Sequence, residues 1–219
     1  MNFINTKTRR LPIRYFIGVI TAVVCHSISA HADTALGSAE APVTIVEYGS
    51  LTCDYCVRFH REVLPLIQSR HIDTGKVRFI YRDFPTGAAA TRGAIAARCV
   101  APNHYYRMLD ALFVTVGRWS RERDVDAALV QQASALEIDD AAFRACLKDP
   151  RRMRDLREAQ RQATQQYAVI GTPTFLVNGE IVRGIRTIDE MEALIAEAQS
   201  RVRTQDADGD TKTSSPEEE

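Results

Sequence analysis

The chain has 219 residues, with 28 basic and 28 acidic side chains and a formal net charge of zero. This length allows one domain, or two small ones, with a substantial hydrophobic core. With this even balance of charge, nothing in the chain is basic enough to argue for binding to nucleic acid.

The first 32 residues have the pattern of a secretory signal peptide. Four basic residues precede an apolar stretch at residues 15–25, and the sequence AHA ends at Ala32. Such a stretch is too short to span a bilayer comfortably. We therefore expect export to the periplasm, with cleavage after Ala32. An uncleaved membrane anchor formed by residues 15–25 is the alternative.

The next segment predicts a β-α-β unit. Residues 41–48 and 77–81 are rich in β-branched and apolar side chains, which is typical of strands. The helix between them should begin with Ser50 or Thr52 as its cap and should kink at Pro65. Two strands joined in this way pair in parallel with a right-handed crossover.

The rest of the chain completes a mixed α/β fold. Residues 88–169 carry apolar helical faces and no strand pattern, residues 174–177 and 180–182 flank an Asn-Gly hairpin turn, and Thr187 opens a capping box. We predict one small mixed sheet flanked by helices, with an inserted all-helical subdomain at about 88–169. This domain spans residues 33–203, and the acidic tail at 204–219 is expected to be disordered.

Four cysteines remain after the predicted signal peptide: Cys53, Cys56, Cys99 and Cys146. In the oxidising compartment to which an exported protein moves, paired thiols are the default. Four cysteines allow three pairings, so local geometry has to decide between them.

The stretch SLTCDYCVRF holds Cys53 and Cys56 at CxxC spacing, which is compatible with three chemistries. Structural zinc takes four ligands, and even with His60 the local set is too small, so we expect no metal site. A purely structural disulfide would close so short a loop that it would stabilise little. A redox pair fits better, because Cys53 lies at the first turn of a helix, where backbone N–H groups favour a thiolate.

Several motifs together give the chain a specific resemblance. They are Glu47 six residues before Cys53, FHREVLP at 59–65, DTGKVRFIYRDFP at 73–85, and GTPTFLVNG at 171–179. With the helical insertion between the two halves, the chain resembles the DsbA-like branch of the thioredoxin superfamily over nearly all of residues 41–200.

This resemblance implies a thioredoxin-like fold and a set of site roles. Cys53 would be the exposed nucleophile and Cys56 the buried resolving thiol. Pro173 would be cis and face the pair, with the backbone of Thr172 binding the extended substrate chain. Glu47 would be a buried carboxylate that relays a proton to or from Cys56.

The residues between the two cysteines depart from the strongly oxidising members of the family. Those often carry Pro-His, whereas this chain has Asp54 and Tyr55. A negative charge at Asp54 should raise the pKa of Cys53. We therefore expect a couple less oxidising than DsbA, whose potential is roughly −120 mV.

Cys99 and Cys146 both lie on apolar faces of separate predicted helices in the insertion. We predict a structural disulfide between them, as some DsbA-like relatives carry a second, non-catalytic disulfide in this region. Two buried free thiols are the alternative.

The combined prediction is an exported thiol-disulfide oxidoreductase that forms disulfides in secreted or envelope proteins. It needs no cofactor beyond the redox-active Cys53–Cys56 pair. Its expected partners are unfolded or reduced exported proteins and a membrane redox protein that recycles the pair, and the chain is expected to be a monomer. A reductase or isomerase, or a chaperone-like peptide-binding module, is the alternative.

Overall fold

The computed structural model describes residues 33–212. The predicted signal peptide, residues 1–32, lies outside these residues, as do residues 213–219. The sheet has five strands in the order β1-β3-β2-β4-β5. They are β1 (Ala35–Leu36), β2 (Val43–Gly49), β3 (Val77–Asp83), β4 (Thr174–Val177) and β5 (Glu180–Arg183).

The sheet is mixed, as predicted. β2 and β3 pair in parallel, and the other neighbours are antiparallel. β2 is therefore a central strand with a partner on each side. β1 was not predicted, because a two-residue strand is too short to show any alternation of apolar and polar side chains.

The helical segment after β2 changes its hydrogen-bond pattern three times. It consists of α1 (Asp54–Arg58), a π-helical stretch (Phe59–Val63), α2 (Leu64–Ile67) and a second π-helical stretch (Gln68–Ile72). Pro65 lies in the first turn of α2, where its missing N–H is tolerated. A π-helical stretch ends at Val63, two residues before Pro65, and the kink expected at Pro65 stays a prediction.

The prediction that Ser50 or Thr52 caps this helix is wrong. Cys53 itself occupies the N-cap position, and no side chain caps the first turn. The Ser50 hydroxyl instead pairs with the Thr86 hydroxyl at 3.1 Å. Ser50 is thereby used to hold the turn after β2 against the segment after β3.

The inserted helices occupy the predicted range. They are α3 (Ala88–Ala97), a short 3-10 helix (Pro102–His104), α4 (Tyr105–Trp119), α5 (Val125–Ser134), α6 (Asp140–Lys148) and α7 (Pro150–Tyr167). Aspartate side chains accept backbone N–H bonds at the starts of α5, α6 and α7, which are Asp124, Asp139 and Asp149. These contacts satisfy N–H groups that the first turn leaves without helical partners.

The last helix, α8 (Ile188–Lys212), begins at the predicted capping box. Thr187 N–H donates to Glu190 Oε2 at 2.8 Å, and Glu190 N–H donates to Thr187 Oγ1 at 3.3 Å. The helix continues past Arg203, so the expectation of disorder from residue 204 does not hold for residues 204–212. Extending an existing helix costs far less than nucleating one, which allows this polar segment to remain helical.

The core lies on both faces of the sheet. Alternate residues of each strand point to opposite faces. Ile45, Phe79 and Phe175 join the large cluster that includes the inserted helices and α8. Val46 and Leu176 join a smaller cluster that α7 covers. The inserted helices therefore pack on both faces of the sheet, with α7 on the face opposite α8.

Candidate functional site

The CxxC motif lies where β2 ends and α1 begins. Cys53 N–H donates to Ser50 O at 3.1 Å, and Val57 N–H donates to Cys53 O at 2.9 Å. Cys53 is partly exposed and Cys56 is fully buried, and both are free thiols in this structure. This geometry offers the first sulfur to another molecule and hides the second.

The proline loop comes from the far half of the chain and contacts the same sulfur. The Thr172–Pro173 peptide bond is cis. The Cys53 thiol donates to the Thr172 carbonyl oxygen at 3.4 Å, across 119 residues of sequence. Neighbouring bonds hold the loop, since Thr174 Oγ1 donates to Gly171 O at 2.8 Å. The fold thus brings the two segments together at one end of β2 and β4.

Hydrogen bonds stabilise the thiolate of Cys53. They lower its pKa to about 5, with the hydrogen bond from the Cys56 thiol as the largest cause. The Thr172 side chain and the backbone N–H groups of Cys56 and Tyr55 add to this effect and together outweigh partial burial. A thiolate is the attacking species in disulfide exchange, so the exposed sulfur is the reactive one near neutral pH.

The surroundings of Cys56 favour the opposite state. The thiol donates a hydrogen bond to Cys53, is buried, and lies near the Glu47 carboxyl group, and these causes raise its pKa far above the usual range. Ser50 N–H, 3.5 Å from the sulfur, works against them. The two thiols are therefore electrostatically distinct, although only two residues separate them.

Glu47 is fully buried in β2, paired in register between Tyr81 of β3 and Phe175 of β4. Its Oε2 atom lies 2.8 Å from His60 Nε2. The side chain of His60 is 2% exposed. An exposed position for Glu47 is thereby excluded. The sequence had indicated His60 only as a packed helix residue or a third metal ligand, and its spacing of four residues from Cys56 was the signal for its place beneath the motif.

Asp54 and Tyr55 both face solvent, and the Tyr55 side chain is 57% exposed. The net shift of the Cys53 pKa is downward, opposite to the effect expected from Asp54. Hydrogen bonds directly to the sulfur act at shorter range than a solvated carboxylate, whose field water screens.

The two other cysteines form the predicted disulfide. Cys99 and Cys146 are bonded with their Cα atoms 5.7 Å apart, and 47 positions separate them in sequence. Cys99 follows α3 and Cys146 lies in α6. The bond therefore links the segment after α3 to α6 within the inserted subdomain and leaves the CxxC pair free.

Within residues 33–212, no three side chains of His, Cys, Asp or Glu are grouped closely enough to hold a metal ion. None of the helices described for this chain is both long enough and apolar enough to cross a bilayer.

Comparison with known proteins gives a consistent assignment. A family model described as thioredoxin matches residues 29–197. The crystal structure of α-DsbA1 from Wolbachia pipientis superposes with a TM-score of 0.73 at 26% identity, covering 80% of this chain and 94% of that one. BdbD from Bacillus subtilis gives a TM-score of 0.69 at 25% identity, covering 77% and 93%.

Curated relatives show the same similarity over different shares of their length. Disulfide bond formation protein D of Bacillus subtilis is 26% identical over 172 residues, which are 76% of this chain and 77% of that protein. A Rickettsia bellii relative, described as a candidate protein-disulfide oxidoreductase, is 27% identical over 148 residues. The match covers 67% of this chain and only 57% of the Rickettsia protein. Since the thioredoxin model covers most of the chain and the solved DsbA structures share its fold, the chain belongs to the thioredoxin family, in its DsbA-like branch.

Proposed function

We propose that the protein is an exported thiol-disulfide oxidoreductase that forms disulfides in secreted or envelope proteins. The observation that carries the proposal is the contrast between its two thiols. Cys53 is partly exposed with a pKa lowered to about 5, whereas Cys56 is fully buried with a raised pKa. This division of properties is what a nucleophile and a resolving thiol require.

The exchange begins from the oxidised pair. A substrate thiolate attacks Cys53 Sγ, the Cys53–Cys56 bond breaks, and Cys56 leaves as a thiolate that takes up a proton. A second substrate thiolate then attacks the substrate sulfur of the mixed disulfide, and Cys53 leaves as a thiolate. Two electrons pass from the substrate to the pair, and the low pKa of Cys53 makes it a good leaving group in the second step.

The proline loop is the proposed docking site for the substrate chain. Thr172 already contacts the Cys53 sulfur, so a peptide whose cysteine reacts there must pass beside the loop. Ile170, 80% exposed, and Tyr55, 57% exposed, offer apolar surface near the two segments. An unfolded substrate, whose apolar side chains are accessible, fits this surface better than a folded one.

The reduced pair must be reoxidised to act again. We propose that a membrane thiol-disulfide protein accepts the two electrons, and that no cofactor beyond the two sulfurs takes part. Export with cleavage after Ala32 belongs to the same proposal, because net disulfide formation requires an oxidising compartment.

Replacing Cys53 tests the proposal. Cys53→Ser protein, which cannot form the Cys53–Cys56 disulfide, should lose both the oxidative refolding of a reduced disulfide protein and the reduction of insulin. The control is Cys99→Ala/Cys146→Ala, which removes the other disulfide and should keep both activities. A Cys53→Ser protein that still promotes refolding at the rate of the unchanged chain would contradict the exchange mechanism and indicate a peptide-binding module.

A further inference from the structure

The buried His60 is paired with Glu47, but it has no role in the exchange described above. Glu47 Oε2 lies 2.8 Å from His60 Nε2, and the side-chain exposures are 0% for Glu47 and 2% for His60. A buried carboxylate without a partner is costly, so this contact matters for the charge that Glu47 can carry.

The imidazole ring of His60 is held in place by aromatic side chains. It stacks on Phe113 of α4 with ring centroids 3.9 Å apart and 18° between the planes. Tyr81 of β3 meets it edge-on at 5.4 Å. The ring therefore has little freedom to turn, and its Nε2 atom stays directed at Glu47.

The other oxygen of Glu47 lies beside Gly49, at the end of β2 that leads to the CxxC motif. A methyl group built on Gly49 would come within 2.9 Å of Glu47 Oε1, so this atom lies beside Gly49. The next residue, Ser50, donates its N–H toward Cys56 Sγ. Among the described residues Oε1 has no hydrogen-bond partner. One oxygen of the carboxyl group is thus held by His60, the other lies beside Gly49 without a partner in the described part of the chain, and the group is close enough to Cys56 to raise the pKa of that thiol.

We infer that His60 is a positioning residue for disulfide exchange, which orients the Glu47 carboxyl group and stabilises its ionised form while Glu47 exchanges a proton with Cys56. This inference rests on the proposed function, since it concerns the same exchange.

The proton moves in a balanced step. When a substrate thiolate attacks Cys53, the bond to Cys56 breaks and Cys56 keeps the bonding electrons as a thiolate. Glu47 in its acid form gives its proton to that thiolate and becomes a carboxylate. His60, protonated at Nε2, then donates to Oε2 and stabilises the new charge. In the reverse direction the Cys56 thiol returns the proton to the carboxylate before it attacks.

Other ionisable groups face this pair from the neighbouring elements. Burial raises the pKa of Tyr81 on β3 and of Tyr106 on α4, so both stay neutral phenols near physiological pH. Burial also raises the pKa of Asp110 on α4, an effect that nearby His60 opposes. Cys56 is the remaining ionisable group beside Glu47. Of these neighbours, only Cys56 takes part in the exchange of the proton with Glu47.

The test measures how fast reduced glutathione opens the Cys53–Cys56 disulfide, between pH 5 and 9, with the rate corrected for glutathione thiolate. His60→Leu should slow the reaction about ten-fold at neutral pH, the effect expected for losing one hydrogen bond to a charged group. His60→Gln, whose amide N–H can still donate to Glu47, should stay within about three-fold of the unchanged chain. The control is His71→Leu, which should leave the rate unchanged. His71 lies in the same helical segment as His60 and is also paired with a glutamate, Glu192 of α8.

The coupling between the two residues separates positioning from general stability. In a Glu47→Gln background, His60→Leu should slow the exchange less than about two-fold, because neighbours acting as one unit are not additive. His60→Leu and Glu47→Gln should each slow the exchange over the same range of pH. Additive losses, or a His60→Leu rate equal to that of His71→Leu, would overturn the inference.

A measurement on the unchanged chain covers the case in which His60→Leu does not fold. The imidazole nitrogen resonances of His60 should show a proton on Nε2 throughout the pH range in which the exchange is active. A neutral ring with its proton on Nδ1 would overturn the inference. Failure of the unchanged chain to react with glutathione at all would instead contradict the proposed function.

Discussion

The length of the loop that the Cys99–Cys146 disulfide closes predicts how much the bond contributes to the free energy of unfolding. The bond joins the end of α3 to α6 and closes a loop of 47 positions. In the chain-entropy model, a loop of that length restricts the unfolded chain enough to contribute about 4 kcal/mol. Replacing both cysteines by alanine should therefore lower the free energy of unfolding by about 4 kcal/mol.

Contacts beside the bond keep the subdomain together when it is removed. Arg92 of α3 makes two hydrogen bonds of 2.6 Å to Asp126 of α5 and one of 3.0 Å to the Leu147 carbonyl of α6. We therefore expect the double variant to fold, with a melting temperature lower by roughly 8–16 °C for a chain of this size.

Urea unfolding followed by circular dichroism, without reductant, measures this change. The comparison is valid when the dependence of the free energy on urea is similar in both proteins. Both must be kept in the same redox state at Cys53 and Cys56. A loss below about 1 kcal/mol would refute the reasoning, since it would mean that the loop is already restricted in the unfolded chain.

Three further predictions concern single groups. The rate of Cys53 alkylation should rise as the pH passes about 5 and then level off, because its thiolate forms there. Gly49→Ala should lower stability by about 1–3 kcal/mol, because the new methyl group would lie 2.4 Å from the Tyr81 ring. Arg98→Leu breaks a 2.9 Å pair with Asp83 and, because Arg98 is partly exposed, should cost about 2 kcal/mol. Burial raises the pKa of Asp83, so that loss should be larger at pH 7 than at low pH, where the carboxyl group becomes protonated.

Each of these predictions has a control. Cys53→Ser should abolish the alkylation phase near pH 5. Gly117→Ala places its methyl group in open space within α4 and should be neutral or slightly stabilising. Arg98→Lys keeps a positive charge near Asp83 and should recover part of the loss. An alkylation midpoint above pH 8, an unchanged stability for Gly49→Ala, or an Arg98→Leu loss that is equal at both pH values would contradict the respective argument.

Most of the fold could be predicted because its patterns are local. The TFLV run and the Asn178-Gly179 turn after it predicted β4 with its observed bounds, and the Thr187 capping box predicted the start of α8. The helical insertion followed from the absence of strand patterns over about 80 residues. Each of these signals is contained within a few residues of the element that it predicts.

The missed features depend on contacts between distant residues. Serine is a residue type that often caps helices, but the Ser50 hydroxyl forms a hydrogen bond with Thr86 instead. Only the fold brings these two residues together. Helix α8 extends beyond residue 203 although the sequence there is polar, because packing of the first half establishes the helix. The local charge of Asp54 suggested a raised pKa for Cys53, whereas hydrogen bonds from Cys56 and Thr172 lower it.

The residues of the site likewise divide into those that a local sequence pattern predicts and those that only the fold brings together. The CxxC spacing identified the two thiols, and the resemblance supplied the proline loop and Glu47. The pairing of Glu47 with His60 could not be read from either residue alone, because it joins a strand to a helix across the core. Only the fold shows that the imidazole four residues after Cys56 contacts the buried Glu47 carboxyl group.

The reduction potential of the Cys53–Cys56 couple tests the central claim most directly. The pKa of Cys53, about 5, lies between the values of roughly 7 in thioredoxin and roughly 3.5 in DsbA. A more stable thiolate makes the disulfide more oxidising, so equilibration with glutathione should give a potential between roughly −270 and −120 mV. A couple as oxidising as DsbA would contradict the role assigned to this set of hydrogen bonds, and a pair that does not equilibrate with glutathione would contradict disulfide exchange itself.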